Sequence, residues 1–139
     1  STACAVDANV ILRYILRDDP ELSEAARNIL RGIETGARRV LCDPVTLSEV
    51  VFVLGSYYAM PRERISDGLL EILRAPGFIM PDKGLYVAAL GLFGESVPHF
   101  TDACACALAL ANCAGRIYSF DRKLRVEGLT RLESPPHTD

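Results

Sequence analysis

Apolar and polar positions change period repeatedly along this chain, and each change marks an element. Residues 2–6 are a short apolar run that stops at Asp7. Leu12, Ile15 and Leu16 then recur at helical spacing, with Arg13 and Arg17 one turn apart on the polar side. Asp18-Asp19-Pro20 breaks that helix. Pro20 suits the first position of a second helix capped by Asp19, whose stripe of Leu22, Ala25, Ala26, Ile29, Leu30 and Ile33 runs to Gly36. Residues 39–42 read as a strand stopped by Asp43-Pro44, and a third helix carries Leu47, Val50, Val51, Leu54 and Tyr58 inward, with Glu49 off the centre of that stripe. Pro61 opens a fourth helix with Ile65, Leu69, Ile72 and Leu73, residues 77–80 form a third strand, and 83–93 a helix weakened by two glycines.

Residues 98–124 are the most informative stretch. Thr101-Asp102 opens a helix that is small and apolar almost all round, so it is buried on most sides. Ala114-Gly115 stops it, glycine being the usual residue just past a helix end. Residues 116–120 read as a strand ending at Asp121, followed by a helical turn at 122–127 and a last strand near 129–132. Strands alternating with helices imply an α/β domain around a mostly parallel sheet covered on both faces. With 139 residues and no repeat, low-complexity run or linker, residues 1–139 form one domain.

Composition narrows the class. No apolar run approaches the roughly 18–20 residues that span a bilayer. The opening STACAVDANV has no basic segment ahead of an apolar one, as a secretion signal would. Five cysteines at 4, 42, 104, 106 and 113 lie in apolar segments without a C-x-x-C pair, which fits buried free thiols in a reducing cytoplasm. Two histidines, His99 and His137, have no metal-ligand neighbours at helical spacing, so zinc is disfavoured. A net charge of −3 argues against a generic duplex-DNA binder. Yet 13 of the 15 cations are Arg, which suits phosphate contacts. With four of the 18 acids set aside for one site, 14 remain against 15 cations, so a nucleic-acid substrate is compatible with the acidic balance.

The candidate chemistry is a set of four carboxylates. Asp7 and Asp121 each end a strand, Asp102 opens a helix, and Glu49 lies in the first turns of the helix after the second strand. In open α/β sheets ligands bind beyond the carboxyl ends of the strands, where four elements can deliver one acid each. Singly, the three aspartates also read as helix caps and Glu49 as a solvated helix residue. Together, four like charges in one cleft repel unless a cation joins them. With no thiolate or imidazole beside them, Mg²⁺ or Mn²⁺ fits best. Such a site is suited to phosphodiester hydrolysis by metal-activated water, one or two ions stabilising the leaving oxygen.

Four segments, VDANVILRYILRDDP, the SEV of TLSEVVFVL, FTDACACALALANCAG and YSFDRKL, make the chain resemble the PIN-domain nucleases, most closely the VapC-type toxins of toxin–antitoxin pairs. The resemblance implies a three-layer α/β/α fold with a short, mostly parallel central sheet of four to five strands. It implies that Asp7, Glu49, Asp102 and Asp121 form the catalytic metal site for Mg²⁺ or Mn²⁺. Asn9 matches a polar position beside them, and Ser119 stands where Thr is commoner. It further implies a cytoplasmic endoribonuclease acting on tRNA, rRNA or mRNA, a homodimer, and a small antitoxin laid along a groove that Tyr14, Tyr57 and Tyr58, beside Leu12 and Leu16, would line. Candidate substrate contacts are Arg13, Arg17, Arg122, Lys123 and Arg125. A PIN nuclease of RNA processing outside a toxin–antitoxin pair, and a non-catalytic RNA- or protein-binding module, are the competing readings. A phosphoacceptor domain is disfavoured: it needs paired acids after the first strand, and Ala8 follows Asp7.

Overall fold

The computed structural model of the chain describes residues 2–136; His137, in the Ser-Pro-Pro-His tail, lies outside the described residues. Three strands of two residues, β1 (Cys4–Ala5), β2 (Val40–Leu41) and β3 (Phe78–Ile79), lie side by side in that order and all parallel. Val6 N donates to Leu41 O at 2.9 Å and Cys42 N to Ile79 O at 2.9 Å, extending the ladder past the strands. A second parallel pair joins β4 (Arg116–Tyr118) to β5 (Thr130–Leu132). Five parallel-paired strands are thus present among the described residues, in two groups of three and two.

Six α-helices are present among the described residues: α1 (Ala8–Leu16), α2 (Pro20–Leu30), α3 (Pro44–Phe52), α4 (Arg62–Leu73), α5 (Lys83–Glu95) and α6 (Phe100–Asn112). Their starts follow local rules. Asp7, Asp19 and Asp43 cap α1, α2 and α3, accepting from Val10 N at 3.3 Å, Leu22 N at 3.0 Å and Thr46 N at 2.8 Å. Pro20 and Pro44 sit just inside the second and third. Asp43 also accepts from the Thr46 hydroxyl at 3.0 Å. These bonds, the backbone one foremost, hold the Asp43 carboxyl below its ordinary 3.8. Its folded value being the lower, its contribution to stability is complete above about pH 4 and is lost as pH falls through the folded value. Asp43→Asn keeps a capping side chain that cannot titrate, so acid melts of the variant are expected to be flatter than wild type in that window.

The strands are shorter than the sequence reading has them, and several helix boundaries differ from it. The second helix ends at Leu30 rather than Gly36, because Arg31 is extended and Gly32 takes φ +88°. The fifth helix continues to Glu95, and the sixth begins at Phe100, so Asp102 is in its first turn and not its cap. Residues 122–127 form turns rather than a helical turn. There Asp121 draws Lys123 N onto its own carboxylate at 3.0 Å and Leu124 N onto its carbonyl at 3.2 Å. Beyond α3 the helix widens into one π-turn, Val53–Tyr57, in which Tyr58 N reaches back to Val53 O.

The core joins Val6, Val40 and Phe78 of the sheet to Ile11, Leu47, Leu54, Leu69, Leu90 and Ala103 of the helices. α3 packs on both α1 and α6, and α5 on both α4 and α6. Lys83 fastens the exit of α4: its Nζ donates to Phe78 O at 2.6 Å and Ala75 O at 3.2 Å. Among the described residues no helix is long and apolar enough to cross a membrane.

All five thiols are free, but only some are buried. Cys42 and Cys106 are enclosed and Cys104 half-buried, whereas Cys4 and Cys113 are exposed, correcting the expectation of an all-buried set. The reason is local: β1 shows both its residues to solvent, and Cys113 sits at the open C-terminus of α6. Burial pushes the Cys42 and Cys104 thiols up to about 11. Alkylation at pH 8 is therefore expected to modify Cys4 and Cys113 first, and peptide mapping would show Cys42 and Cys104 labelled only after denaturation.

Candidate metal and nucleic-acid site

The parallel register sends β1 and β2 out of the same edge of the sheet, so α1 with Asp7 and α3 with Glu49 start there together. α6 and β4 form a second return. Ala114 and Gly115, at φ +53° and +80°, reverse the chain, and Gly115 N closes on Ala109 O at 2.9 Å. From the turn back to Asp102 is about 17 Å of helix, and forward to Asp121 about 20 Å of extended chain. Both acids therefore end at the open end of this return, and α3 joins it to α1.

The side chains themselves are held locally. Asp7 and Asp121 are exposed and accept from Val10 N and Lys123 N. Glu49 is exposed and Asp102 half-buried. Among the described residues no three His, Cys, Asp or Glu side chains stand close enough to hold a metal ion. Two of the four carboxylates, Asp7 and Asp121, are instead engaged by backbone N–H groups of their own turns. In donor type the set fits a hard divalent cation, being oxygen throughout; its rotamers do not close on one.

The neighbours divide into positioning groups and free cations. Asn9 Oδ1 accepts from Arg13 Nε at 3.3 Å. Arg13 also grips Asp18 at 2.7 Å and donates to the Tyr58 hydroxyl at 3.4 Å, so this guanidinium ties α1 to its own exit and to the π-turn. Arg17 is the exposed C-cap of α1. Ser119 Oγ accepts from Asp121 N at 3.1 Å and shapes the turn that presents this acid. Arg122, Lys123 and Arg125 are exposed beside it.

The chain matches the model of the PIN domain over residues 4–127. It belongs to the PIN domain family. The family fold is the three-layer α/β/α arrangement expected from the motifs. PIN domains are generally nucleases, which makes this one a hydrolase of nucleic acids by kind, and they commonly use divalent metals. No curated protein matches the sequence.

Two residues near this PIN site went unnoticed in the sequence. Arg131 donates to Ser119 O at 2.7 Å and pairs with Glu133 at 2.6 Å, fastening the strand end from which Asp121 emerges. Arg62 lines a cavity of about 400 Å³ between α3, α4 and α6. Its Nη1 is shielded from solvent without a hydrogen-bond partner. No hydrophobic pattern marks either position, since both roles arise from contacts between distant segments.

Proposed function

We propose that this PIN domain is a Mg²⁺- or Mn²⁺-dependent endoribonuclease and the toxin of a toxin–antitoxin pair, acting in the cytoplasm on tRNA, rRNA or mRNA. The observation that carries the nuclease reading is the match to the PIN domain family over residues 4–127, within which Asp7, Glu49, Asp102 and Asp121 stand at the positions the motifs assign to the metal site. These four would hold the ion, which supplies charge neutralisation and polarisation at the scissile phosphate when bound. The protein's own groups do the remaining work. Arg122 and Lys123, next to Asp121, and Arg17 and Arg125 offer exposed cations to the strand. Ser119 and Arg131 hold the Asp121 turn in place. Asn9 and Arg13 fix the first turns of α1 behind Asp7.

The partner claims rest on two surfaces. A groove of about 370 Å³ between α1 and α4 is lined by Tyr14, Ile15, Leu16, Met60, Arg64 and Glu71 among others, a mixed apolar and charged surface for an antitoxin. Of the residues assigned to it from sequence, Tyr14 and Leu16 line it, while Leu12 is buried and Tyr57 and Tyr58 pack against each other as tilted rings with centroids 5.1 Å apart. For a homodimer, Val45 and Phe52 on one stripe of α3 and Tyr57 beyond it are 66–79 % exposed and give an apolar surface for a second copy.

Incubation with a mixed tRNA and rRNA pool tests the reading. Discrete fragments are expected with Mg²⁺ or Mn²⁺ and none with excess chelator. Fragments that persist in chelator would overturn the metal dependence, and intact RNA under every metal condition together with undiminished RNA binding would favour the binding-module alternative.

A further inference from the structure

Each of the two strand groups keeps an open edge. In β1, Cys4 N and Val6 N donate to Arg39 O and Leu41 O on the β2 side. Ala5 therefore turns its N–H and C=O the other way, where no backbone hydrogen bond meets them among the described residues. In β4, Gly115 O accepts from Thr130 N, and Ser119 N donates to Leu132 O, so Tyr118 and Phe120 turn their backbone groups away from β5. The side chains there are bare as well. Both residues of β1 are exposed, and Tyr118 and Phe120 are 64 % and 83 % exposed. An uncovered apolar strand edge is a template for another strand. The other two outer edges are guarded. On β3, Phe78 N is bonded to Ala75 O, and Lys83 Nζ covers Phe78 O. On β5, Arg131 carries a charge and pairs with Glu133.

Chain order indicates which edge β4 fits. α1 and α2 separate β1 from its parallel neighbour β2, and α3 and α4 separate β2 from β3. α5 and α6 repeat that unit between β3 and β4, which returns β4 in the parallel sense. With the β3 edge guarded, β1 is the partner left. We propose that β4 is a strap that closes on the open edge of β1, and that closure assembles the metal site by setting Asp121 beside Asp7. This rests on the nuclease reading above. The alternation of bonded residues lets Ala5 lie opposite Ile117 or Ser119. The second register sets Phe120 beside Val6 on the core side, Cys4 opposite Tyr118 and Asp121 opposite Asp7, and so buries the most exposed of the aromatic rings. Two carboxylates side by side oppose closure, and a divalent cation between them favours it. Cation binding and strap closure are therefore linked, each promoting the other. α6 on one side of β4, and Leu124 and Val126 against the core on the other, tether it to its own domain, which favours its own β1 over that of a second copy.

The test uses the native thiol of Cys4. Neighbouring strands hold opposed Cα atoms about 4.8 Å apart, within the span of a disulfide. Tyr118→Cys, at an exposed position, is treated with diamide in Mg²⁺ and in chelator, and the products are read by non-reducing mass spectrometry and peptide mapping. The expected result is a disulfide within one chain between Cys4 and the introduced thiol, formed about tenfold faster in Mg²⁺. In wild type, Mg²⁺ is expected to slow alkylation of Cys4 together with amide exchange in residues 3–7 and 116–121. No such disulfide in either condition would overturn the proposal, as would one that joins two copies, or equal rates in a protein that binds Mg²⁺. Phe120→Ser supplies a second reading. The ring is exposed in the open form, so the melting temperature in chelator is expected to hold, while Mg²⁺ affinity falls by about tenfold or more because closure would bury the ring. Unaltered Mg²⁺ affinity in this variant would also overturn closure. RNA cleavage by wild type is scored separately. The disulfide within one chain in a protein that neither binds Mg²⁺ nor cleaves RNA leaves the strand pairing standing and fails the nuclease reading. Metal-dependent cleavage by a protein whose strands never cross-link does the reverse.

Discussion

Asp102→Asn is expected to lower metal-dependent RNA cleavage by about 10³-fold or more while the protein stays folded. The kinetic loss follows from removing one of four anionic oxygen donors, since a metal supplies several kcal/mol at the transition state and each 1.36 kcal/mol is about tenfold. The structural loss is small because His99, and not Asp102, holds the cap position of α6. Removing the charge gives up only its interaction with the helix dipole, about 0.3–1 kcal/mol. Asp7→Asn sharpens the comparison. Asp7 does cap α1, and asparagine caps as well as aspartate, so this variant keeps the helix start and loses only the charge. Gel assays of cleavage, thermal melts and Mn²⁺ titration of the three proteins decide the matter. Cleavage within a few fold of wild type in either variant would remove these acids from the site. Unfolding of both would give them a structural role in place of a metal-binding one.

Gly77→Ala is expected to destabilise the protein by about 2–4 kcal/mol without any contact with the site. A Cβ at Gly77 would meet Arg38 O at 2.1 Å, Ile33 Cα at 2.7 Å and Ile33 O at 2.8 Å. All three are backbone atoms, so no side chain can swing aside. The closeness is productive in the wild type. Gly77 N donates to Ile33 O at 2.6 Å, and Gly77 O accepts from Val40 N at 2.8 Å. One residue therefore joins the loop after α2, the start of β2 and the start of β3. Denaturant melts would read the loss. A change below about 0.5 kcal/mol would mean that the loop at Ile33 yields more easily than its packing implies.

The parts of this fold that are legible in sequence are those set by residues close together in the chain. Asp19-Pro20 and Asp43-Pro44 announce helix starts because the cap and the proline act within one turn. Ala114-Gly115 announces a stop because only a left-handed backbone reverses there. The illegible parts are set by competition. The apolar stripe of the second helix runs on through Leu30 to Ile33, but Gly32 adopts φ +88° and the chain turns away. The π-turn leaves no trace in the pattern, since Leu54 is buried whether the turn holds four residues or five. Residues 122–127 have helix-forming composition and Asp121 closes a first turn onto Lys123 N and Leu124 N, yet no helix continues, and Gly128 takes φ +84° at the far end. The local settings of Asp7 as a helix cap and of Asp121 in a turn were legible from their neighbours, whereas how the four acids stand relative to one another depends on contacts between distant segments. Arg62 was opaque for a related reason: its lack of a partner is a property of the folded surroundings.

The chain has only two lysines, and they stand in opposite circumstances. Lys83 is clasped by two carbonyls at the exit of α4. Lys123 is open to solvent two residues from Asp121. Any side-chain reagent that seeks amines, whether a dye, a cross-linker or an activated surface, is thereby directed to one spot. Tethering the protein through its lysines would moor it at Lys123, beside the Asp121 turn.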